Sequence, residues 1–95
     1  MIQYKAGYKF LDDGVHAQVL DFPAAITCAV ALAEARRLLT VALLDVAETR
    51  LELGQSLPTP DPRVSDPEMD LEEPVYLHLR VSTEIEETPA GEVAS

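Results

Sequence analysis

Apolar and polar residues alternate strictly at the start of the chain. The even positions from Ile2 to Phe10 are isoleucine, tyrosine, alanine, tyrosine and phenylalanine, and the odd positions between them are glutamine, lysine, glycine and lysine. Because side chains along a strand point alternately to opposite faces, this pattern predicts a first strand with one buried face and one solvated face. Residues 12–14, Asp-Asp-Gly, predict a hairpin turn after it, in which glycine can supply a positive φ.

Two further strands are predicted before the middle of the chain. Alternation over residues 15–19 indicates the second, and Pro23 ends its ladder because proline has no N–H. Ile26, Cys28 and Val30 alternate with smaller residues and predict a short third strand. Cys28 lies on the apolar side of that strand, so we expect a buried free thiol. A sheet with one apolar face is usually antiparallel and needs a cover on that face.

The next segment predicts that cover, a helix over residues 31–53 ended by Gly54 at the C-cap. Its helical spacing is carried by Leu32, Ala35, Leu39, Leu43 and Val46. The apolar arc is wider than one sheet face requires, because Leu38, Val41 and Leu44 lie partly off this stripe. Two interpretations stay open for these three residues, a broad core stripe or a homodimer interface. Neither Val30 nor Ala31 can cap the start of the helix.

The composition changes after Gly54. Five prolines and six acidic residues over 58–74 interrupt any helix or central strand and predict a long surface connection, acidic and proline-rich over 61–74. Alternation over 75–81 predicts a last strand that returns to the sheet, and residues 82–95 predict an acidic, flexible tail. We therefore expect one α+β domain over residues 1–81. Its order is β-β-β-α-β, with an antiparallel-rich sheet covered on one face by a single long helix.

Charge divides the chain unevenly. The net charge is −10, and residues 61–95 hold ten acidic residues against two basic ones, whereas residues 1–60 hold seven against five. This distribution disfavours direct binding of nucleic acid and suits a basic partner protein, although plain solubility also explains it. The candidate partner-binding residues are Asp61, Asp66, Glu68, Asp70, Glu72 and Glu73.

The sequence holds few groups that predict chemistry. One cysteine rules out a disulfide framework and fits a reducing cytoplasm, and neither a secretory signal nor a long apolar run is present. His16 and His78 fall on the polar sides of their strands, without the spacing of metal ligands. No glycine-rich phosphate loop and no nucleophile-base arrangement stand out. We expect a cytoplasmic protein that is not an enzyme and that holds no cofactor and no metal.

Several short motifs, taken in order, resemble a known family. DDG at 12–14, VHAQV at 15–19, LDFPAAIT at 20–27 and LAEA at 32–35 are similar to the HicB-like antitoxin domain, and so is the exit GQSLPTP at 54–60. The chain departs from the family at residues 24–25, where Ala-Ala replaces Gly-Cys. It departs again at residues 30–31, where Val-Ala replaces the helix-capping Asp-Thr. The resemblance implies a truncated ribonuclease-H-like fold that is usually dimeric.

The resemblance also implies a function. A domain of this family would neutralise a small basic toxin of the HicA type, an mRNA interferase, by protein–protein contact. Full antitoxins of the family carry a DNA-binding module after the sheet. The 14 residues after Val81 are too few for one, so we expect no direct DNA binding by this chain. The alternative is an orphan dimeric scaffold or regulatory module without a toxin. In both cases we expect a homodimer or a higher homo-oligomer.

Overall fold

One helix and four strands make up the fold, in a computed structural model that describes residues 1–79. Along the chain these are β1 (Ile2–Leu11), β2 (Gly14–Val19), β3 (Ile26–Ala29), α1 (Leu32–Glu52) and β4 (Leu71–Leu77). The strands form one antiparallel sheet in the order β3-β2-β1-β4. The predicted α+β class and the β-β-β-α-β order are confirmed. The tail predicted over residues 82–95 lies outside the described residues.

The core lies between α1 and one face of the sheet, called here the inner face; the opposite face is the outer face. The helix buries Ala35, Leu39, Leu43 and Ala47. The sheet and its connections contribute Tyr4, Ala6, Tyr8, Val15, Ala17, Val19, Phe22, Ala25, Val75 and Leu77. Removing a large apolar side chain from water in this way stabilises a fold by about 1.5–3 kcal/mol. The apolar face of β1 is buried as predicted from Tyr4 to Tyr8, while Phe10 remains 48% exposed near the hairpin. The opposite face is not fully solvated as predicted, because Gly7 is buried beneath Met69.

The faces of β3 are the reverse of those predicted. A tight corner, in which the Ala25 N–H donates to Phe22 O (3.0 Å), sets Ala25 opposite Val19, whose N–H donates to Ala25 O (2.9 Å). Both alanine and valine are fully buried, so the alternation that follows turns Ile26 and Cys28 to the outer face. The prediction that Cys28 is buried is therefore wrong, because its side chain is exposed.

Glycine at two positions has a geometric reason. Gly54 has φ +75° and follows the C-cap residue Leu53. The Gln55 N–H donates to Arg50 O (2.8 Å) and the Gly54 N–H to Leu51 O (3.0 Å), which is the Schellman ending of a helix. Gly14 does not have a positive φ, contrary to the prediction. It opens β2, and a Cβ there would lie 2.6 Å from the carbonyl oxygen of Ala29.

Strand β4 begins four residues earlier than predicted and contains Pro74, opposite Lys5 of β1. The backbone of Lys5 is turned towards β2, since the Leu20 N–H donates to Lys5 O (2.8 Å) and the Lys5 N–H donates to the side chain of Asp21 (2.9 Å). Proline opposite Lys5 therefore costs the β1–β4 ladder no hydrogen bond. Its missing N–H faces the free edge of the sheet, where proline is tolerated.

Candidate functional site

The connection between α1 and β4, residues 53–70, begins at the inner side, where Leu57 packs against the core, and then passes along β1 on the outer face of the sheet. The Lys5 ammonium group donates to Val64 O (2.7 Å), and that of Lys9 donates to Glu68 O (3.1 Å). Between these lysines, Met69 lies so close to Gly7 that a Cβ there would be 2.8 Å from Met69 Cγ. The two lysines are therefore engaged with the connection.

Side-chain hydrogen bonds anchor both ends of the connection. At its start, the Tyr4 hydroxyl donates to Pro58 O (2.8 Å), and Asp21 accepts from the Asp61 N–H (3.0 Å) as well as from Lys5. At its end, the Asp70 N–H donates to Tyr8 O (2.8 Å), and Asp70 Oδ2 accepts from the Phe10 N–H (2.7 Å). These bonds fix the path of a segment that has no helix or strand of its own.

The carboxylates of the connection hold its turns. Asp61 accepts from the Arg63 N–H (3.0 Å), and Asp66 accepts from the Glu68 N–H (2.9 Å), the short-range bonds that make aspartate a turn residue. Glu72 reaches back from β4 and accepts from the Ser65 hydroxyl and from the Asp66 N–H, both at 2.9 Å. The same acidic side chains therefore stabilise the turns and make this surface acidic.

The six predicted partner-binding residues do not all share a surface. Five follow the connection and the outer side of β4, and we call them the acidic ridge: Asp61, Asp66, Glu68, Asp70 and Glu72. Glu73 is the next residue of β4 and points to the inner side. There Arg36 of α1 binds it with two hydrogen bonds, of 2.8 and 2.9 Å, and so ties the helix to the edge strand.

A cleft of about 520 Å³ lies between residues 60–62 of the connection and the neighbouring parts of β1 and β4. Its charged lining includes Asp21, Asp61, Glu72 and Lys5, together with Pro60, Pro62 and Pro74 among its apolar walls. Carboxylates outnumber the one ammonium group of the lining, so the cleft and the acidic ridge favour positively charged groups. Among residues 1–79, no group of three or more His, Cys, Asp or Glu side chains is placed to hold a metal ion.

Hydrogen bonds and burial shift pKa values at the sheet. Bonds from the Asp66 N–H and the Ser65 hydroxyl lower the pKa of Glu72, and the Arg36 guanidinium lowers that of Glu73. Burial, reinforced by the charge of Glu73, raises the pKa of Tyr8 to about 12. The charged forms of both glutamates and the neutral form of the tyrosine therefore belong to the folded state.

These shifts predict a loss of stability in acid. A carboxyl group whose folded-state pKa lies below its usual 4.5 stabilises the fold above that value, and the contribution disappears as the pH falls through the lowered pKa. We expect Glu73→Gln to be less stable than wild type at about pH 6, and the difference to shrink towards about pH 3. Urea unfolding across this range measures it. Glu48→Gln, an exposed change on α1, is the matched control, and an equal pH dependence in the two variants would contradict the assignment.

The other predicted residues lie away from the ridge. Leu38, Val41 and Leu44 lie on α1, where Val41 is 49% exposed and the two leucines are half-buried. The two histidines are far apart in the sheet, since β1 separates the strand of His16 from β4, which His78 follows. The sequence did not predict that His16 has Cys28 as a neighbour. Nδ1 of the His16 ring lies 3.8 Å from the Cys28 sulfur on the outer face. No helix within residues 1–79 is both long and apolar enough to cross a membrane.

Comparisons with known proteins identify the fold. The chain matches no protein-family model, and no curated protein matches it in sequence. Among solved structures it is similar to the N-terminal domain of the antitoxin HicB from Burkholderia pseudomallei. The TM-score is 0.68 at 20% sequence identity, over 82% of this chain and 100% of that one. The predicted HicB-like fold is confirmed.

Proposed function

We propose that this chain is a non-enzymatic, antitoxin-like domain that neutralises a small basic mRNA interferase of the HicA type by protein–protein contact. The observation that carries the proposal is the fold, since the chain superposes on the whole of a domain that belongs to the antitoxin HicB. The same fold can host many functions, so a toxin-binding role also requires a surface that suits a basic partner.

The acidic ridge is a surface that suits a basic partner. Its five carboxylates lie along one segment and outnumber the bases beside it, which are Arg63, Lys9 and Lys5, the last 3.9 Å from Glu72. The hydrogen bonds described above hold the segment against the sheet. A fixed line of negative charge speeds the encounter with a basic protein and selects it over acidic ones. The anchored path also limits the ordering that binding would otherwise require. Glu73 takes part less directly, because Arg36 already neutralises it.

The test is co-expression with any small basic protein encoded beside this chain. We expect a complex that survives purification and relief of the growth arrest caused by the basic protein alone. In the purified pair, the double change Asp61→Asn with Glu68→Gln should slow association by about tenfold at low salt, with less effect at high salt. Stopped-flow mixing measures the association rate.

The matched control removes the same charge from the other side of the molecule. Asp45→Asn with Glu48→Gln changes two exposed carboxylates on α1 and should leave association within about twofold of wild type. Equal slowing by the two double variants would show that association depends on the net charge of the chain and not on the ridge. Absence of both a complex and rescue would overturn the proposal.

The second candidate is an orphan module with the same fold, acting as a scaffold or regulator without a toxin partner. The half-buried and exposed apolar residues of α1, Leu38, Val41 and Leu44, would then serve self-association. A genome that lacks any neighbouring basic reading frame would favour this candidate. Both candidates share the expectation of a homodimer, so oligomeric state does not discriminate between them.

A further inference from the structure

The free edge of β3 presents backbone groups without partners in the described sheet. Hydrogen bonds to β2 recur at every second residue, beginning with the Val19 N–H to Ala25 O and continuing through the pairs Ala17–Thr27 and Val15–Ala29. The backbone of Thr27 and Ala29 is thus turned towards β2. In an antiparallel ladder the residues between them face the other way, so the N–H and C=O groups of Ile26 and Cys28 point out of the sheet.

This edge is short but lacks the proline and the charged residues that often prevent strands from pairing. The opposite edge of the sheet, β4, carries Pro74 and two glutamates. Strand β3 has neither proline nor charge, and residues 22–33 contain no charged residue at all in a chain of net charge −10. Exposed strand edges without such protection are templates for another strand.

The side chains along this edge are apolar and exposed. Ile26 is 48% exposed, and Val30, which follows the strand, is 80% exposed. Cys28 lies between them on the outer face and is also exposed. This strip therefore combines unpaired backbone groups with two exposed aliphatic side chains and a thiol. Such a strip can bind an added strand.

We infer that the occupant is a second copy of this chain, paired antiparallel through β3 about a two-fold axis at Cys28. In this register Cys28 faces Cys28 of the second copy and exchanges both backbone hydrogen bonds with it, while Ile26 faces Val30 on either side. The two sheets then form one continuous sheet of eight strands. A two-fold contact of this kind is isologous, so each exposed aliphatic side chain covers one from the other copy.

Charge favours a second copy over a basic partner at this place. A basic protein finds nothing to recognise in an uncharged strip, and the acidic ridge is anchored to β1 by Lys5, Lys9 and Asp70. Two chains of net charge −10 repel each other least where they meet through uncharged residues. The contact is also short, well below the standard area of about 1,600 Å², so we expect a weak dimer.

The proposed register has a chemical signature. Residues facing each other in a hydrogen-bonded antiparallel pair have Cα atoms about 5.5 Å apart, within the range of disulfides. Each Cys28 sulfur also lies 3.8 Å from Nδ1 of the His16 ring. With diamide as oxidant, two thiols lose two protons and two electrons, one S–S bond forms, and diamide is reduced to its hydrazine. The chain has a single cysteine, so every disulfide-linked dimer joins Cys28 to Cys28.

The test uses the full chain. Sedimentation equilibrium under reducing conditions should show a dimer forming as the concentration rises through about 10–100 μM, the weak range expected of a small contact. Below the dissociation constant, diamide should still trap the disulfide dimer. Val30→Lys, a surface change that keeps Cys28, should slow this trapping by about tenfold, because an edge lysine opposes pairing. Thr49→Lys, an exposed change on α1 outside its apolar residues, is the matched control and should leave the trapping rate unchanged.

A second pair of variants moves the thiol. Cys28→Ser combined with Val41→Cys places the only thiol on the apolar part of α1, where Leu38 and Leu44 flank it. We expect little trapping of this variant. Equal trapping of wild type and Val30→Lys, faster trapping through position 41, or a monomer at all concentrations with slow trapping would each overturn the β3 pairing. Circular dichroism before oxidation checks that every variant is folded.

Discussion

Replacing Phe22 with alanine is expected to lower the free energy of unfolding by about 3–5 kcal/mol, the usual cost of removing a buried aromatic ring. Phe22 is fully buried at the corner between β2 and β3. Its ring meets that of Tyr4 edge-on, with centroids 5.5 Å apart. The guanidinium carbon of Arg50, in the last turn of α1, lies 5.1 Å from the Phe22 centroid. One side chain therefore joins the corner, β1 and the end of the helix.

Urea unfolding followed by circular dichroism measures this loss. A domain of this length has a total stability of about 5–10 kcal/mol, so Phe22→Ala should lose a large share of it. Phe22→Leu is the control, because it keeps an apolar side chain and loses the ring contacts, worth about 0.5–1.5 kcal/mol each. An alanine variant within about 1 kcal/mol of wild type would contradict the role assigned to this corner.

Replacing Asp21 with alanine should cost about 2 kcal/mol, since two backbone donors lose their acceptor at once. Oδ1 accepts from the Lys5 N–H at 2.9 Å, and Oδ2 accepts from the Asp61 N–H at 3.0 Å. The first bond replaces a backbone hydrogen bond, because the regular pairing of β2 with β1 ends just before it. The second holds the start of the connection, so its loss should free that segment from the outer face.

Two measurements separate these effects. Urea unfolding reports the loss of stability, and trypsin cleavage after the exposed Arg63, followed by mass spectrometry, reports release of the connection. Asp21→Asn is the control: its amide keeps one acceptor oxygen, so we expect about half the loss. Unchanged cleavage after Arg63 in Asp21→Ala would show that the other anchors suffice to hold the connection.

The fold was largely predictable because local patterns decide most of it. The alternation of β1, the helical stripe over Leu32–Val46 and Gly54 at the helix end each depend on neighbours in sequence, and each was placed within a few residues. Strand β3 was not, because its faces depend on the hydrogen bonds of the Phe22–Ala25 corner. Burying Phe22 and Ala25 outweighs exposing Ile26, a choice that no periodicity within β3 reveals.

The candidate site was predictable in composition and not in arrangement. Its acidic residues stood out in the sequence, but the path of the connection depends on contacts across some 60 residues, such as Lys9 with Glu68 and Phe10 with Asp70. Strict alternation separates Glu72 from Glu73, and the start of β4 at Leu71 decides which one joins the outer side. The inner position of Glu73 had one signal in the sequence, the basic residue Arg36 on the helix that covers the inner face, because this arginine binds Glu73.

The pairing of β1 with β4 has a consequence for the order of folding. Strands β1, β2 and β3 follow one another closely and α1 comes directly after them, so these four elements can assemble through short loops. Ile2, by contrast, pairs with Leu77, almost the full described length away. Closing so large a loop is entropically slow, and contacts of this kind delay the transition state of small domains. Docking of β4, with the connection it brings over the outer face, is therefore the natural last event of folding, and reversal of that step is the easiest opening of the native state.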